Sequence, residues 1–328
     1  MNKKKRILSG MRPTGPLHLG NLHGALANWL EMQKKYDCFF FIADWHALTS
    51  NYEDTGSISE YVRDMMVDWL SVGLSPDTNT LFVQSHIKEH AELFLLLSMI
   101  TPVPWLERNP TYKDQILQLS NKDLSTFGFL GYPVLQAADI IMYKADGVPV
   151  GIDQVPHVEI TREIARRFNY LYRKVFPEPE SILTKTPKIL GLDRRKMSKS
   201  YNNAIYLSDS PDNIASSVAR MITDPQRAKK NDPGNPDICN VFEFHKLYSN
   251  KETANNINKE CRKAQIGCVE CKKIMAQNLI DTLEPIRAKR EYYKARRETV
   301  DEIIKEGCNK ARKVAQQTME EVKSAMKI

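Results

Sequence analysis

Two short stretches carry side chains that could handle a phosphate. The first is His18-Leu-Gly-Asn21, preceded by Gly10, Pro13, Gly15 and Pro16. Arg6 to Leu8 reads as the end of a short buried strand, and the glycines and prolines make a rigid, close-approach loop. Leu19, Leu22, Leu26, Trp29 and Leu30 then fall at helical spacing. Strand, turn and helix N-terminus follow in order, with His18 and Asn21 on the first helical turn. Free backbone N–H groups and the positive end of the helix dipole favour an anion there, and the imidazole can donate to it. An ordinary strand-to-helix join would look the same, so this stretch alone does not choose. The second stretch is Lys196-Met-Ser-Lys-Ser200, after Leu192-Asp-Arg-Arg195. Alone it reads as a solvated loop.

Three further groups could do chemistry. Asp139 is an acid inside the apolar helical segment Gly131 to Tyr143. Such an acid is either paired and buried or turned to the helix surface. Val148 to Gln154 reads as strand, turn and helix, where Gly151 permits close approach and Asp153 can accept from a ribose hydroxyl. Cys239, Cys261, Cys268 and Cys271 form C-x21-C-x6-C-x2-C. Four cysteines ending in a short pair suggest a metal. Zinc sites show two short pairs more often. A [4Fe–4S] cluster takes four thiolates at uneven spacing. Zn2+ and four free thiols stay open beside it. Cys38 and Cys308 stand apart, as buried thiols.

The elements that must position these groups follow from pattern. Cys38 to Ala43 and Thr80 to Gln84 are strand-length apolar runs, and Asp44-Trp-His46 sits at the C-terminal end of the first. Ser57 to Glu60 reads as a capping box ahead of a helix bearing Tyr61, Met65, Trp69 and Val72. Alternating strands and helices predict an α/β fold, a doubly wound parallel-sheet (Rossmann-like) catalytic domain over residues 1–205. The prolines between Thr101 and Gly131 mark an insertion. From Asp212 onward strand signals vanish, which predicts an all-helical C-terminal domain over 206–328. Its last helix, from about Val300 to Met326, packs back on the body. Arg287, Lys289, Arg290, Lys294, Arg296 and Arg297 face one acid, Glu291, within eleven residues. They are either a solvated helix face or a nucleic-acid contact.

Composition narrows the class. A 328-residue chain with 42% hydrophobic residues suits two domains and a sizeable core. A net charge of +7 is compatible with nucleic acid without requiring it. No apolar run reaches membrane-spanning length, and Lys3 to Arg6 is not followed by a signal-peptide core. The expectation is a cytoplasmic protein with no membrane partner.

His18-Leu-Gly-Asn21 and Lys196-Met-Ser-Lys-Ser200 together resemble the two signatures of class I aminoacyl-tRNA synthetases, with Asn21 where the commonest form has His. Ser9 to Asn21, Asp44 to Thr49, Tyr132 to Phe168, the Lys196 loop and the helical end are similar to bacterial tryptophanyl-tRNA synthetases. The most specific piece is Tyr132-Pro-Val-Leu-Gln-Ala-Ala-Asp139 with Val148-Pro-Val-Gly-Ile-Asp-Gln154. Tyrosyl-tRNA synthetases share fold and signatures but differ in this pair. Arg12 and Gln136 depart from some members, which have Gln and Met there.

The resemblance implies tryptophan activation by ATP and transfer to tRNA(Trp), with Mg2+ carried in by ATP. It implies His18, Lys196 and Lys199 as catalytic donors to the phosphates. It places Arg12, Pro13, Thr14, Gly20, Asn21, Gly151, Ile152, Asp153, Ile189, Met197, Ser198 and Ser200 around ATP. It places Asp139 on the indole N–H, with Gly10, Arg12, His46, Gln136, Val148, Val150 and Gln154 around L-tryptophan. A carboxylate matched to indole rejects phenylalanine, which has no donor to offer. The resemblance further implies a homodimer, anticodon binding by the helical domain and, in the subset with four such cysteines, a [4Fe–4S] site. A tyrosine–tRNA ligase and a non-catalytic RNA-binding paralogue are the competing readings. The pair of segments around Asp139 and Val150 disfavours the first. The intact His18, Lys196 and Lys199 disfavour the second.

Overall fold

The structure, a computed structural model, describes residues 4–110, 112–113, 124–183 and 189–328. Part of the insertion read from the prolines lies outside the described residues. The expected α/β fold is present. Five parallel strands, β1 (Arg6–Met11), β2 (Asp37–Ile42), β3 (Asn79–Val83), β4 (Gly147–Val150) and β5 (Glu180–Leu183), lie in the order β3-β2-β1-β4-β5. Order reverses between β1 and β4, where open parallel sheets collect ligands. The central strands are covered on both faces, which is why β2 reads Cys-Phe-Phe-Phe-Ile without alternation. β5 was not legible: Glu-Ser-Ile-Leu is a half-exposed edge strand with no apolar run. β1 also runs on to Met11, so Gly10 belongs to the strand and not to the loop. A Cβ on Gly10 would lie 2.5 Å from the Phe41 ring, so only glycine fits beside that phenyl group.

The chain divides into two compact units. The first comprises residues 1–15, 28–186 and 296–328. Its core is aromatic: Trp29 stacks on Phe40 at 4.5 Å and meets Trp69 edge-on at 5.1 Å. Helix α1 (Asp44–Asn51) follows β2, and α2 (Ile58–Val72) follows α1. Ser57 precedes α2 without making a side-chain cap, so the capping box read there does not form. Helix α3 (Glu89–Ser98) follows β3, α4 (Phe127–Met142) leads to β4, and α5 (Val155–Leu171) to β5. The last helix, α9 (Arg297–Met326), lies against β3. Val83 N–H meets Cys308 Sγ at 3.5 Å, and Arg312 donates to the His86 carbonyl at 2.6 Å.

The second unit comprises residues 16–27 and 187–295. Its helices are α6 (Asn240–Tyr248), α7 (Lys251–Arg262) and α8 (Cys268–Lys294), with Pro211–Arg220 packed on α8. Residues 22–26 form a π-helical turn where a plain α-helix was read, with one extra residue in the turn. No helix among the described residues is long and apolar enough to cross a membrane.

Candidate active site

In the second unit the two signature stretches lie side by side. Leu19 N–H bonds the Ile205 carbonyl at 3.0 Å and Leu207 N–H the Leu17 carbonyl at 2.9 Å, with His18 bridged to Tyr206. His18 precedes the helical turn, and its backbone N–H donates to Asn21 Oδ1 at 3.0 Å. Asn21 thus ties down the entry to the turn. The imidazole is 8% exposed, and its Nδ1 has no hydrogen-bond partner. Burial, then the charges of Lys199 and Lys196, push it down to about 4, so it is neutral near pH 7. A Cβ on Gly20 would lie 2.9 Å from that ring, so glycine clears the space the imidazole occupies.

The Lys196 loop is held by a residue the sequence reading missed. Asn203 is 2% exposed. Its amide donates to Asp193 at 2.7 Å and to the Lys196 carbonyl at 3.2 Å, and its Oδ1 accepts from Ser198 N–H at 2.9 Å. Met197 is buried, Ser198 and Ser200 share a hydrogen bond at 2.9 Å, and the Ile189 carbonyl accepts from Met197 N–H at 3.3 Å. No sequence pattern marks an asparagine that works by bonding backbone at several points in one loop.

In the first unit Asp139 is 0% exposed, so the surface alternative does not hold. His46 Nε2 donates to Oδ2 at 2.9 Å and His90 Nδ1 to Oδ1 at 2.6 Å, while Gln84 Nε2 lies within 2.9 Å of both oxygens. Burial alone would raise the carboxyl. The His90 charge and the bonds from both histidines outweigh it and hold it below the usual range. Tyr143 OH lies 2.7 Å from His90 Nε2. Burial and the Asp139 charge raise that phenol well above its ordinary value, so it stays protonated. The hydroxyl holds the far edge of the imidazole, so that Nδ1 faces Asp139. Gln84, His90 and Tyr143 were not anticipated. They come from three different elements, and only folding assembles them.

The other residues read around tryptophan are distributed as follows. Gly10 meets Phe41, whose ring lies 6.3 Å from His90. Val148 and Val150 are buried on β4, Gln136 and Gln154 are half-buried, and Arg12 is exposed. Tyr132 OH lies 3.2 Å from His157 Nε2. Burial raises the Tyr132 phenol against the pull of the Arg12 charge. Of the residues read around adenosine, Gly151 leaves room for the Asp153 carboxylate, 2.6 Å from where its Cβ would be, and Ile152 is 78% exposed. Pro13 and Thr14 line a cavity of about 320 Å³ with Asn51, Tyr52, Ser57 and Tyr61.

The four cysteines gather in the second unit. Arg227 Nη1 lies 3.9 Å from both Cys261 Sγ and Cys268 Sγ. Burial and then the other three thiols push Cys271 up to about 12. A Cβ on Gly234 would lie 2.6 Å from Cys261 Sγ. Among the described residues no three His, Cys, Asp or Glu side chains close on one point as a single metal ion needs.

A five-stranded parallel sheet, together with a His18 turn bridged to Tyr206 just after a Lys196-Met-Ser-Lys-Ser200 loop, defines a class I aminoacyl-tRNA synthetase. Residues 1–284 match the family of class I tRNA synthetases for W and Y. The chain is 53% identical to the tryptophan–tRNA ligase of Thermotoga maritima over 98% of its own length and 99% of the relative's. It is 46% identical to that of Aquifex aeolicus, covering 98% and 100%. A crystal structure of Campylobacter jejuni tryptophanyl-tRNA synthetase in complex with ADP and tryptophan superposes with a TM-score of 0.92 at 32% identity, covering 98% and 100%. The chain belongs to this family and, within it, to the tryptophan–tRNA ligases.

Proposed function

We propose that the chain activates L-tryptophan with ATP and transfers it to tRNA(Trp), with His18, Lys196 and Lys199 as the catalytic donors. The tryptophan carboxylate attacks the α-phosphate in line, and pyrophosphate leaves. The 2′- or 3′-hydroxyl of the terminal tRNA adenosine then attacks the adenylate carbonyl, and AMP leaves. Neither step needs a protein nucleophile, so the chain positions the reactants and stabilises developing charge. Neutral His18 donates one N–H to phosphate, while Lys196 and Lys199 supply positive charge. Mg2+ arrives on ATP and neutralises the phosphates. Asp139 accepts from the indole N–H, and its donors His46, Gln84 and His90 hold it charged and fixed. The observation that carries this reading is the buried, unpartnered His18 Nδ1 beside two lysine charges.

The helical domain over 206–328, whose last helix packs back on the body, is assigned to anticodon binding, and the place of work to the cytoplasm, where tRNA is charged. A homodimer is supported by Leu95, Met99, Val103 and Phe127, which are 50–70% exposed on α3, the segment after it and the start of α4. Sedimentation equilibrium should give twice the chain mass; a monomer at micromolar concentration overturns the dimer. The cysteines are assigned to a [4Fe–4S] cluster of structural role. What supports this reading is that the four thiols lie within electrostatic reach of one another, with Arg227 against two of them. Anaerobically purified protein should contain about four irons and absorb broadly near 400 nm; an iron-free, colourless protein overturns the cluster.

The activity itself is tested by ATP–pyrophosphate exchange with tryptophan and tyrosine side by side. Exchange with tryptophan alone, reduced roughly 10²–10³-fold in His18→Ala and lost in Asp139→Ala, is expected. Exchange with tyrosine, or an unaffected His18→Ala, overturns the assignment.

A further inference from the structure

The second unit contains one helix that touches everything around the phosphate-handling stretches without belonging to either. Helix α6 starts at Asn240, which is 0% exposed. The Asn240 amide donates to the Gly191 carbonyl at 2.8 Å and lies 3.4 Å from that of Leu192. These two residues are the root of the Lys196 loop. Gly191 N–H bonds the Arg195 carbonyl at 2.7 Å, and Leu192 N–H bonds the carbonyl of Asn203, the residue that holds Lys196 and Ser198. The helix ends at Tyr248, whose hydroxyl lies 2.6 Å from His23 Nε2, with the two rings edge to face at 5.5 Å. His23 sits in the π-helical turn directly after the His18 turn. Between its ends, α6 is pinned to α8: His245 Nε2 lies 3.4 Å from Cys271 Sγ, and His245 Nδ1 2.7 Å from Ser249, which in turn accepts from Asn278 at 2.7 Å.

We propose that α6 is a strut that sets the two signature stretches at a fixed separation, with Asn240 and Tyr248 as positioning residues for the ATP-phosphate step. The physical reason is the geometry of its bonds. Asn240 holds backbone at the base of the loop, at Gly191, and the two lysines lie five and eight residues further on. Tyr248 holds a side chain about one turn after His18. A π-helical turn is a costly local form, and its carbonyls and side chains are re-aimed relative to an α-helix. The His23–Tyr248 bond is a tertiary contact able to hold it there. A bond of this kind at each end of one nine-residue helix links the base of the Lys196 loop to the turn after His18. Neither residue reaches a reacting atom, so both act through the backbone and through His23.

The inference rests on the assignment of His18, Lys196 and Lys199 to ATP. It predicts an asymmetry that a general loss of packing would not produce. Tyr248→Phe removes one hydroxyl and keeps the ring. Asn240→Ala removes the amide. In ATP–pyrophosphate exchange, each variant should raise the KM for ATP about tenfold, the worth of roughly one hydrogen bond, and lower kcat. The KM for tryptophan, read in the first unit, should stay within about twofold, with an unchanged thermal midpoint for Tyr248→Phe. His23→Leu should behave as Tyr248→Phe does, and the double variant should be no worse than either single one, since both break the same bond. If the ATP and tryptophan KM values rise together, or if neither moves while His18→Ala is severely impaired, α6 is not a positioning element. If His18→Ala itself exchanges normally, the ATP assignment fails and the inference falls with it.

Discussion

A carboxylate taken wholly out of water stays charged only if donors cover both oxygens, and Asp139 has them from His46, Gln84 and His90. Asp139 is thus kept charged inside an apolar helix by groups of the chain itself. His90 is the least replaceable of the three, because Tyr143 holds its ring from the other side. His90→Phe keeps a flat ring but strips a donor from Asp139 and a hydrogen-bond partner from Tyr143. It should cost about 3 kcal/mol in a urea unfolding series, as breaking a buried charged pair does, and raise the KM for tryptophan. Two other histidines set a pH dependence. His18 and His157 are each pushed down to about 4, mainly by burial, from an ordinary 6.5. Between these values the unfolded chain takes up protons that the folded chain refuses, so stability falls as pH drops from about 6.5 toward 4 and is level above. The urea midpoint of His157→Gln should fall less steeply over that window than that of the parent chain.

At the scale of elements, glycines mark where backbones come too close for a side chain. Gly307 on α9 is the clearest case: a Cβ there would overlap the Leu81 carbonyl of β3. The last helix can therefore lie on the sheet edge only with glycine at this position. Gly307→Ala should lose roughly 2 kcal/mol of stability, seen as a lower denaturant midpoint, through forced separation of α9 from β3. The same approach brings Cys308 onto Val83, which accounts for a cysteine outside the group of four.

At the scale of the whole molecule, the net charge of +7 is the feature that bears on tRNA. The basic run at the end of α8 is not a uniform solvent face. Lys289 and Lys294 are exposed, but Arg290 is buried and Arg287 nearly so, with a cavity of about 400 Å³ between them and Ser208 to Pro211. Arg296 and Arg297, which follow, are exposed as well. Raising salt should increase the KM for tRNA in aminoacylation and leave tryptophan-dependent exchange, which needs no tRNA, nearly unchanged. Lys289→Ala with Lys294→Ala should reduce the salt slope by about 1–2.

Much of the molecule was legible in one dimension because the signals are local. The runs at Ile7, Cys38 and Leu81 gave the inner strands, since buried parallel strands must be apolar throughout. Asp139 could be singled out because an acid sits oddly in an apolar helix, whereas His18 and the Lys196 loop stood out only together, as a pair resembling two family signatures. The edge strand Glu180–Leu183 left no such mark, and the π-helical turn at Leu22–Leu26 kept an ordinary helical stripe. The residues that support the site were invisible for a different reason. Gln84, His90, Asn203, Asn240 and Tyr248 are common polar residues whose partners lie 5 to 225 positions away in the chain. The sequence by itself determined which side chains could do the chemistry and which elements carry them. Only the tertiary structure decided which donors would face Asp139 and which backbone would brace His18 and Lys196, because a hydrogen bond between distant residues has no periodicity to read.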